Sequence, residues 1–404
     1  MTRFYSLIHI VLAALVVLFA AYTVQGQDAK SPYQEFNFEV GTEYSFFFKE
    51  GAYAGQKRHF PSISLQPEYF IESNKGVHSF TFTGFFRLDV DKKRTHWDIR
   101  ELYWLTYKNN WELSAGLKKV YWGTTESIHL VDIINQTDQV ESFDGEEKLG
   151  QPMVHFSLVS TIGTFDAFGM PYFRTRTFPG EKGRLRTPVP IEKSDISFES
   201  NAEQWHPDFS IRWSNSFGPV DIGASYFWGT GREPLILIDQ EPDSFEFIYP
   251  IIHQIGLDAQ LTTGSWLWKL EVISRLNQYQ DMFAFAGGFE YTFGNIKSSG
   301  IDLGLLGEYL FDNRDELAIG GMDNDIFIGS RIAFNDIQST EILIGAIFDL
   351  KRSTKFFSFE ANRRFGENWK GGIEARIFST VAPSEFTYLF RDDSFAKVSL
   401  TRYF

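Results

Sequence analysis

The connections between the amphipathic segments of this chain alternate in length, and this alternation constrains its fold more than any other feature. From Tyr33 onward the sequence contains eighteen amphipathic segments of roughly ten to fifteen residues, the length expected of tilted membrane strands. Every second connection is a short turn, such as Asn74-Lys75-Gly76 or Phe217-Gly218-Pro219. The intervening connections are mostly longer, especially at 122–151 and 174–206. A soluble β-sandwich has no reason to sort its loops in this way.

The alternation predicts an all-β fold, a transmembrane antiparallel up-and-down β-barrel of about 18 strands, within a range of 16–18. Short turns belong on the periplasmic side of such a barrel and long loops on the extracellular side. The two longest connections, 122–151 and 174–206, are therefore expected to be extracellular or folded inward. One of the predicted strands is Glu246–Leu261. No segment after the N-terminus approaches the ~18 consecutive apolar residues of a transmembrane helix.

The N-terminus and the composition favour export. Arg3 precedes an apolar run, Ile8–Ala21, and small or modest residues follow at Val24-Gln25-Gly26. This pattern predicts a signal peptide over residues 1–26, followed by a single barrel domain over 27–404. The alternative is an N-terminal membrane anchor, for which the apolar run is short against a ~20-residue span. Aromatic residues make up 17% of the chain, which suits a barrel because their rings can face lipid.

The last ten residues, Phe395–Phe404, alternate between polar and apolar side chains and end on an aromatic ring. This segment resembles the closing strand of Gram-negative outer-membrane β-barrels. The resemblance implies recognition by the barrel-insertion machinery and a location in the bacterial outer membrane, in contact with lipid and lipopolysaccharide. Arg402 falls on the lipid-facing side of the same alternation, where its stem could reach the headgroups.

Alternation within the strands also predicts which charged residues face the lumen. An Arg or Lys that faces lipid at mid-bilayer costs about 2–4 kcal/mol, so the charged positions must point inward. Such residues either neutralise one another in cross-strand pairs or select among solutes. The candidate pore-lining and constriction residues, including those on the two long loops, are Arg87, Arg100, Lys118, Glu126, Asp132, Asp138, Arg174, Arg176, Arg212, Lys269, Glu271, Arg275, Glu290, Glu308, Arg331, Glu360, Arg364, Glu374 and Arg376.

The two longest connections carry opposite charge. The 122–151 connection is acidic, whereas the next begins with a basic stretch, Arg174–Arg186. Within the first, Ser127–Ile134 is too apolar for a freely solvated loop, so we expect it to fold inward or to pack on the barrel wall. We hypothesise that the acidic and basic loops pair across the mouth and form a constriction. The alternative is an extracellular cap without gating.

A second resemblance lies at the start of the acidic loop. The run Lys119-Val120-Tyr121-Trp122-Gly123, followed by Leu130–Asn135 and Asp138, resembles a group of poorly characterised porin-like outer-membrane proteins, with Gln136 where we expect Pro. The group is similar to substrate-specific porins and alginate-export-type barrels. This implies a passive channel for small polar or charged solutes. The alternative function is a structural or adhesive barrel plugged by its own loops.

Other functions receive little support. A net charge of −14 argues against nucleic acid as a partner. The chain has no cysteine, which excludes thiolate metal sites and cysteine nucleophiles. Ser127 and His129 lie near each other, but no spacing predicts the convergence that a hydrolase needs, so we expect no enzyme activity. Acidic loop segments such as Asp312-Asn313-Arg314-Asp315 lack a calcium-loop pattern, and no cofactor or metal is expected.

Overall fold

The protein forms a closed barrel of eighteen antiparallel strands. The computed structural model describes residues 32–238, 245–315 and 322–404, and the predicted signal peptide lies outside these ranges. Each barrel strand pairs with the next one along the chain. The last strand pairs with the first, in register from Glu39 opposite Tyr403 to Phe47 opposite Phe395. The predicted fold class is therefore confirmed.

The described strands and helices have the following bounds. The first eleven strands are β1 (Tyr33–Phe47), β2 (His59–Ser73), β3 (His78–Leu88), β4 (His96–Lys108), β5 (Trp111–Lys118), β6 (Gln151–Ser160), β7 (Gly163–Met170), β8 (Ile196–Phe198), β9 (Asp208–Phe217), β10 (Val220–Thr230) and β11 (Leu235–Ile238). The others are β12 (Phe245–Tyr249), β13 (Ile251–Thr263), β14 (Trp266–Leu276), β15 (Met282–Phe293), β16 (Asp302–Asp312), β17 (Asn324–Ala333), β18 (Glu341–Asp349), β19 (Lys355–Phe365), β20 (Trp369–Ser379) and β21 (Phe395–Tyr403). Short 3-10 helices occupy Asn74–Gly76, Lys193–Asp195, Glu203–Trp205, Ile296–Ser298 and Phe386–Phe390. None of the described helices has the length and apolarity needed to cross a membrane.

Side chains alternate between the two faces of the barrel wall. On β14, the outward Trp266 and Trp268 are exposed, whereas Glu271 and Arg275 face inward and are buried. Arg402 lies over the rings of Trp369 and Phe404, 5.4 and 4.4 Å from their centroids. This contact holds the guanidinium on the outer surface within the aromatic rim.

Short turns join the strands at one end of the barrel. Gly218 and Gly264 occupy such turns with φ of 63° and 61°, a conformation that glycine adopts without steric cost. The long connections lie at the opposite end, as predicted. They include 119–150 between β5 and β6 and 171–207 between β7 and β9.

Strands β8, β11 and β12 form a separate three-stranded sheet within the long connections. Strand β12 pairs antiparallel with β11 and parallel with β8. The prediction of one continuous strand over Glu246–Leu261 is therefore wrong at its start. Pro250 separates β12 from β13, since proline lacks a backbone N–H to donate to a ladder. Its carbonyl instead accepts a hydrogen bond from the Gly231 N–H at 2.8 Å.

Candidate functional site

The connection 119–150, hereafter the lumen loop, folds into the barrel. Its segment Val131–Asp138 is buried throughout, and the side chains of Val131 and Ile134 are fully inaccessible. The expectation that this apolar stretch folds inward agrees with its position. The loop contacts the inner wall on opposite sides of the barrel, at Arg87 of β3 and at Glu271 of β14. It therefore extends across the lumen and narrows it.

An apolar cluster holds the middle of the lumen loop against one side of the wall. From the loop, Trp122, Val131, Ile133 and Ile134 take part in this cluster. Their partners are buried residues of β6, β7, β10, β13, β14 and β15, namely Met153, Phe168, Met170, Phe227, Ile252, Ile273, Met282 and Ala284. Inward positions of a water-filled barrel are normally polar, so this apolar stretch of wall matches a loop that covers it.

Two wall carboxylates bind the backbone of the lumen loop. Glu271 of β14 is fully buried and accepts hydrogen bonds from the backbone N–H groups of Thr124, Thr125 and Val131 at 2.6, 3.0 and 3.1 Å. Glu308 of β16 accepts from the N–H groups of Glu126 and Ser127 at 2.8 and 2.9 Å. Hydrogen bonds to an ionised acceptor are roughly twice as strong as neutral ones. These carboxylates satisfy loop amides that would otherwise be buried without partners.

Ion pairs attach the acidic side chains of the lumen loop to basic residues of the wall. Glu126 contacts Arg331 of β17 at 2.7 Å and Lys269 of β14 at 3.5 Å. Further along the loop, the paired atoms are 2.6 Å apart for Asp138 and Arg100, 2.7 Å for Glu141 and Arg87, and 2.8 Å for Asp144 and Arg376. The wall arginines therefore neutralise the loop at several points around the barrel.

A β-bulge positions one of these arginines. The register between β3 and β4 shifts between Thr83 and Gly84, so that Glu101 opposes Thr83 and Ile99 opposes Gly84. Arg100 is the extra residue, and it is buried against Asp138. A bulge re-aims a side chain that regular alternation would direct elsewhere. Burial raises the pKa of the Asp138 carboxyl, but the His96 ring at 3.7 Å, a hydrogen bond from Thr177 and the charge of Arg100 hold the pKa below its usual range.

The basic connection 171–207, hereafter the cover loop, lies next to the lumen loop without forming the expected ion pairs with it. Thr177 donates to Asp138 at 2.6 Å, and Arg176 contacts the Gln136 side-chain oxygen at 3.4 Å. The ion pairs of the cover loop run elsewhere in the described chain: Arg174 to Asp98 of β4 at 2.6 Å and Arg184 to Asp393 at 2.7 Å. The hypothesis of acidic and basic loops paired across the mouth does not match this geometry.

The connection 231–250 also contacts the lumen loop, through Arg232. Arg232 donates to the Ile134 carbonyl at 2.9 and 3.1 Å and pairs with Asp208 at 2.7 Å. The adjacent Glu233 pairs with Arg275 at 2.9 Å and Arg314 at 3.1 Å. Burial disfavours the Glu233 carboxylate, but the two guanidinium charges outweigh this effect and lower its pKa to about 2.

A chamber of about 870 Å³ lies between the lumen loop and the inner wall of β14 to β20. The cover loop and the connections 231–250 and 380–394 also line it. Two clusters of charged residues border the chamber where the lumen loop meets the wall. One joins Arg331, Lys269 and Glu126, and the other joins Arg376 to Asp144 and Glu360, the latter at 2.6 Å.

His129 faces the chamber from the lumen loop. Its ring nitrogens lie 2.9 and 3.0 Å from the Tyr121 hydroxyl, and its Nε2 lies 3.0 Å from the Glu146 carboxylate. Burial lowers the pKa of His129, but the hydrogen bond and charge of Glu146 outweigh it, so the pKa lies above its ordinary value of 6.5. An imidazole ordinarily titrates close to neutral pH, so His129 is a lumen-loop group whose charge responds to pH in that range.

The structure brings some of the predicted site residues to the chamber and places others away from it. Those that line the chamber are Glu126, Asp132, Arg176, Lys269, Arg275, Arg331, Glu360 and Arg376. Glu271, Glu308, Arg87, Arg100 and Asp138 instead hold the lumen loop in place. Asp132 pairs within the loop with Lys148 at 3.1 Å.

The remaining predicted residues form local pairs. Arg212 and Asp258 make a two-point contact at 2.6 and 2.8 Å, and Lys118 contacts the His155 ring at 3.3 Å. Arg174 pairs with Asp98, Glu290 lies near Lys269 and Arg331, and Glu374 contacts Lys397 and Arg376. Arg364 lies opposite Lys370 near the short-turn end and is exposed. It takes no part in the chamber.

Sequence reasoning missed several residues that line the chamber. Phe356 lies at the start of β19 and Phe378 near the end of β20, and a prediction based on charged residues does not select such apolar positions. Arg186 lies in the basic stretch Arg174–Arg186, whose sequence does not indicate which residues reach the lumen. A signal was present, because Phe356 and Phe378 fall in the inward register of Glu360 and Arg376. Within the described ranges, no group of three or more His, Asp or Glu side chains has a geometry that could hold a metal ion.

Comparisons with known proteins support the fold. No protein-family model matches the sequence, and no curated protein matches it. Among solved structures, OccK5 (OpdH) of Pseudomonas aeruginosa is 9% identical, with a TM-score of 0.55 over 92% of this chain and 97% of that chain. OccK3 (OpdO) of the same organism is also 9% identical, with a TM-score of 0.53 over 92% and 95%. OccK11 (OpdR) is again 9% identical, with a TM-score of 0.52 over 94% and 99%.

Identities this low establish a shared fold and nothing finer. The agreement extends over nearly the whole length of each partner, so it concerns the entire barrel rather than one hairpin. It accords with the closed eighteen-stranded sheet and with the sorting of short turns and long loops to opposite ends. The chain has the fold of a porin-like outer-membrane β-barrel.

Proposed function

We propose that the protein is an outer-membrane channel for the passive diffusion of small polar or charged solutes. The observation that carries this proposal is the chamber of about 870 Å³ beside the lumen loop. An eighteen-stranded barrel is wide enough for an aqueous passage unless something fills it. The lumen loop occupies part of that space, and the charged groups around Glu126 and Arg376 border the part that is left.

The lumen loop would act as a fixed constriction. Its apolar cluster, its carboxylate contacts and its ion pairs attach it on several sides of the lumen. A loop fixed at so many points keeps a single conformation after folding. The opening beside it therefore has the same size for every solute. Charged side chains at such an aperture set the preference for solute charge.

Deletion of Ser127–Glu147 tests this role. We expect the deletion to raise single-channel conductance in planar bilayers and to change ion preference, because it removes the loop side of the aperture. Heat modifiability on gels would verify that the variant still forms a barrel. Unchanged conductance and ion preference in a folded variant would contradict a constriction by this loop.

The alternative is a structural or adhesive barrel that its own loops plug. The observation in its favour is the extent of the burial at the lumen loop, where every residue of Val131–Asp138 is buried. A plugged barrel would show no ion conductance in planar bilayers, whereas a channel would conduct. We do not propose an enzyme activity.

The proposed setting is the bacterial outer membrane, with its lipid and lipopolysaccharide as surroundings. The barrel-insertion machinery would recognise β21, whose apolar residues Val398 and Leu400 are exposed on the outer face. Replacing the terminal Phe404 should lower the amount of protein assembled in the outer membrane. Normal assembly of a Phe404→Ala variant would count against this recognition.

A further inference from the structure

Four buried carboxyl groups, hereafter the acid cluster, lie together at the long-connection end of β17 and β18. Asp323 and Asp325 lie where β17 begins, Asp349 ends β18, and Glu385 belongs to the connection 380–394. Their exposed fractions are 1%, 2%, 9% and 4%. Asp325 is opposite Asp349 across the strand pair, and the Glu385 carboxyl is within hydrogen-bond reach of the Asp349 carboxyl. None of the four takes part in the contacts that hold the lumen loop.

Among the described residues, the acid cluster makes ion pairs with two cations. Arg352 lies 2.8 Å from Asp323 and 3.4 Å from Asp349, and Lys351 lies 3.0 Å from Asp323. Both cations also pair with the exposed Asp315, at 2.7 and 3.2 Å. Five carboxyl groups therefore share two cations. Because buried like charges repel one another, a cluster with this imbalance is stabilised when it retains a proton.

One oxygen of Glu385 indicates where that proton lies. Its Oε2 accepts hydrogen bonds from the hydroxyls of Thr354 and Thr387 at 2.7 and 3.1 Å. Its Oε1 is buried and has no hydrogen-bond donor among the described residues. Oε1 of Glu385 and Oδ2 of Asp349 lie 3.8 and 3.4 Å from the same nitrogen of Arg352. Buried polar atoms are nearly always hydrogen-bonded, and a proton shared between the two carboxyl groups would satisfy this oxygen.

The electrostatic surroundings of Glu385 agree with this geometry. Burial raises the pKa of the Glu385 carboxyl above its ordinary value of 4.5, and the contact with Asp349 raises the pKa further. The hydroxyls of Thr354 and Thr387 oppose this rise without cancelling it. Glu385 therefore retains its proton at a pH where an exposed glutamate has lost it.

Glu385 also occupies a position from which it can control the loop. It directly precedes the 3-10 helix Phe386–Phe390. Phe386 and Phe390 line the chamber, and Phe390 packs against Phe143 of the lumen loop with ring centroids 5.5 Å apart. A contact between Glu385 and the end of β18 therefore fixes this helix relative to the barrel wall and to the lumen loop.

We propose that Glu385 and Asp349 form a proton-dependent latch, which attaches the connection 380–394 to the barrel while they share a proton and releases it when that proton leaves to solvent. After release both groups are carboxylates, and they face the charge of Asp325 with Arg352 as the nearby cation. Their repulsion then favours separation of the loop from the strand. This inference goes beyond the channel function, because it concerns the position of a loop whether or not the barrel conducts.

The direction of the pH dependence follows from the raised pKa of Glu385. A group whose pKa is higher in the attached state stabilises that state at low pH, and the stabilisation is lost as the pH rises through the raised pKa. The loop should therefore be attached in mildly acidic solution and released in alkaline solution.

A spin label next to Glu385 tests the latch in the full-length protein. The chain has no cysteine, so Ser384→Cys, at an exposed position, allows attachment of a single nitroxide. In lipid nanodiscs, electron paramagnetic resonance spectra should show a slowly moving label at pH 5 and several-fold faster motion at pH 9. A label at Ile337→Cys, which is exposed in a short turn, should move equally fast at both pH values.

Matched variants of the labelled protein identify the titrating group. Glu385→Gln and Asp349→Asn supply an amide N–H in place of the shared proton, so the label should stay slow up to pH 9. Glu385→Ala removes the contact and should give fast motion at every pH. Glu50→Gln changes an exposed carboxyl group, 81% accessible, and should keep the wild-type transition.

The outcomes separate the latch from the channel function. A wild-type label that is equally slow at pH 5 and pH 9 would overturn the latch. So would a Glu385→Gln variant that forms a heat-modifiable barrel and keeps the wild-type transition, or a transition that only Asp325→Asn abolishes. None of these results concerns conductance. A protein that shows the transition but does not conduct would refute the channel function and leave the latch in place.

Discussion

At the scale of single residues, many charged side chains of the lumen serve the loop rather than the open passage. Glu271 is an example, because its carboxylate accepts three backbone N–H groups and the Thr125 hydroxyl at 2.8 Å. These four contacts tie the backbone of the lumen loop to the barrel wall. The inward orientation of Glu271 follows from strand alternation, but its partners lie 140 to 147 positions away in the sequence.

We predict that Glu271→Gln loosens the lumen loop. The neutral amide has one acceptor oxygen and would bind the Thr124 and Thr125 amides less strongly than the carboxylate does. The expected loss is about 1.5–3 kcal/mol of unfolding free energy, the range for a hydrogen bond to a charged group. Denaturant unfolding in detergent would measure it, and current noise should rise.

Glu341→Gln is the matched control, since Glu341 is an exposed residue at the short-turn end of β18. It should leave stability and current noise at wild-type levels. Equal stability of the Glu271 variant and the control would show that the wall carboxylate does not hold the loop.

His129 gives a prediction for pH. Its pKa is raised by Glu146, so the imidazolium remains charged above the ordinary value of 6.5 and loses its proton as pH rises through the raised pKa. The groups that face His129 are the Tyr121 hydroxyl and the carboxyl groups of Asp132, Glu146 and Glu271, so loss of the imidazolium proton removes a positive charge from acidic surroundings. Chloride preference should therefore fall as pH increases from 6 toward 9, as reversal potentials would show.

The His129→Gln variant isolates this effect from the other histidines. It keeps a polar side chain of similar size and cannot take up the proton. Its chloride preference should be nearly constant over the same pH interval. A pH response equal to that of the wild type would assign the titration to another group.

At the scale of elements, the lumen loop combines an apolar middle with charged ends. The sequence pattern of Ser127–Ile134 predicts burial, and the loop is buried at Val131–Ile134 and half-buried at Ser127–Leu130. Its ionic partners could not be predicted, because pairs such as Asp144 with Arg376 join residues far apart in the chain. Local periodicity reports which face a residue occupies, whereas loop conformation decides which partner it reaches.

Ile134→Asp tests the apolar middle. Ile134 is fully buried in the cluster with wall residues, and the guanidinium nearest to it, that of Arg232, is already paired with Asp208. A carboxylate at position 134 would therefore lack a counter-charge of its own. An uncompensated buried charge costs roughly 3–5 kcal/mol, which should exceed the energy that retains the loop. We expect higher conductance and faster proteolysis within 119–150.

Ile337→Asp provides the control, because Ile337 is 95% exposed in a short turn. The same chemical change there should alter neither conductance nor proteolysis. Retention of wild-type conductance and protease resistance by the Ile134 variant would contradict apolar packing as the main anchor of the loop.

The small sheet of β8, β11 and β12 shows a second limit of local patterns. Residues Glu246–Leu261 alternate well enough to predict one strand, yet Pro250 divides them. The parallel pairing of β12 with β8 also joins loops that are separate in sequence. The missing N–H of Pro250 could have predicted where the strand is interrupted. The pairing of β12 with β8 could not be predicted, because it depends on how the loops pack against one another.

At the scale of the whole molecule, the alternation of short and long connections was enough to predict the architecture. Each of the eighteen predicted segments contains a barrel strand, with ends that differ by a few residues, and Glu246–Leu261 also includes β12 of the small sheet. The prediction succeeds because closure requires every strand to satisfy its backbone groups with neighbours on both sides. The aperture, in contrast, depends on side-chain partners from distant loops.

The absence of cysteine permits a direct test of the proposed passage. Ser358 faces the chamber from β19, whereas Ser274 on β14 is exposed on the outer face. Each can be replaced by cysteine and treated with a charged thiol-reactive reagent during single-channel recording in planar bilayers. The Ser358→Cys channel should conduct and should lose current stepwise on modification, whereas the Ser274→Cys channel should not respond. A silent wild-type protein, or a Ser358→Cys channel unaffected by complete modification, would contradict a passage through the chamber.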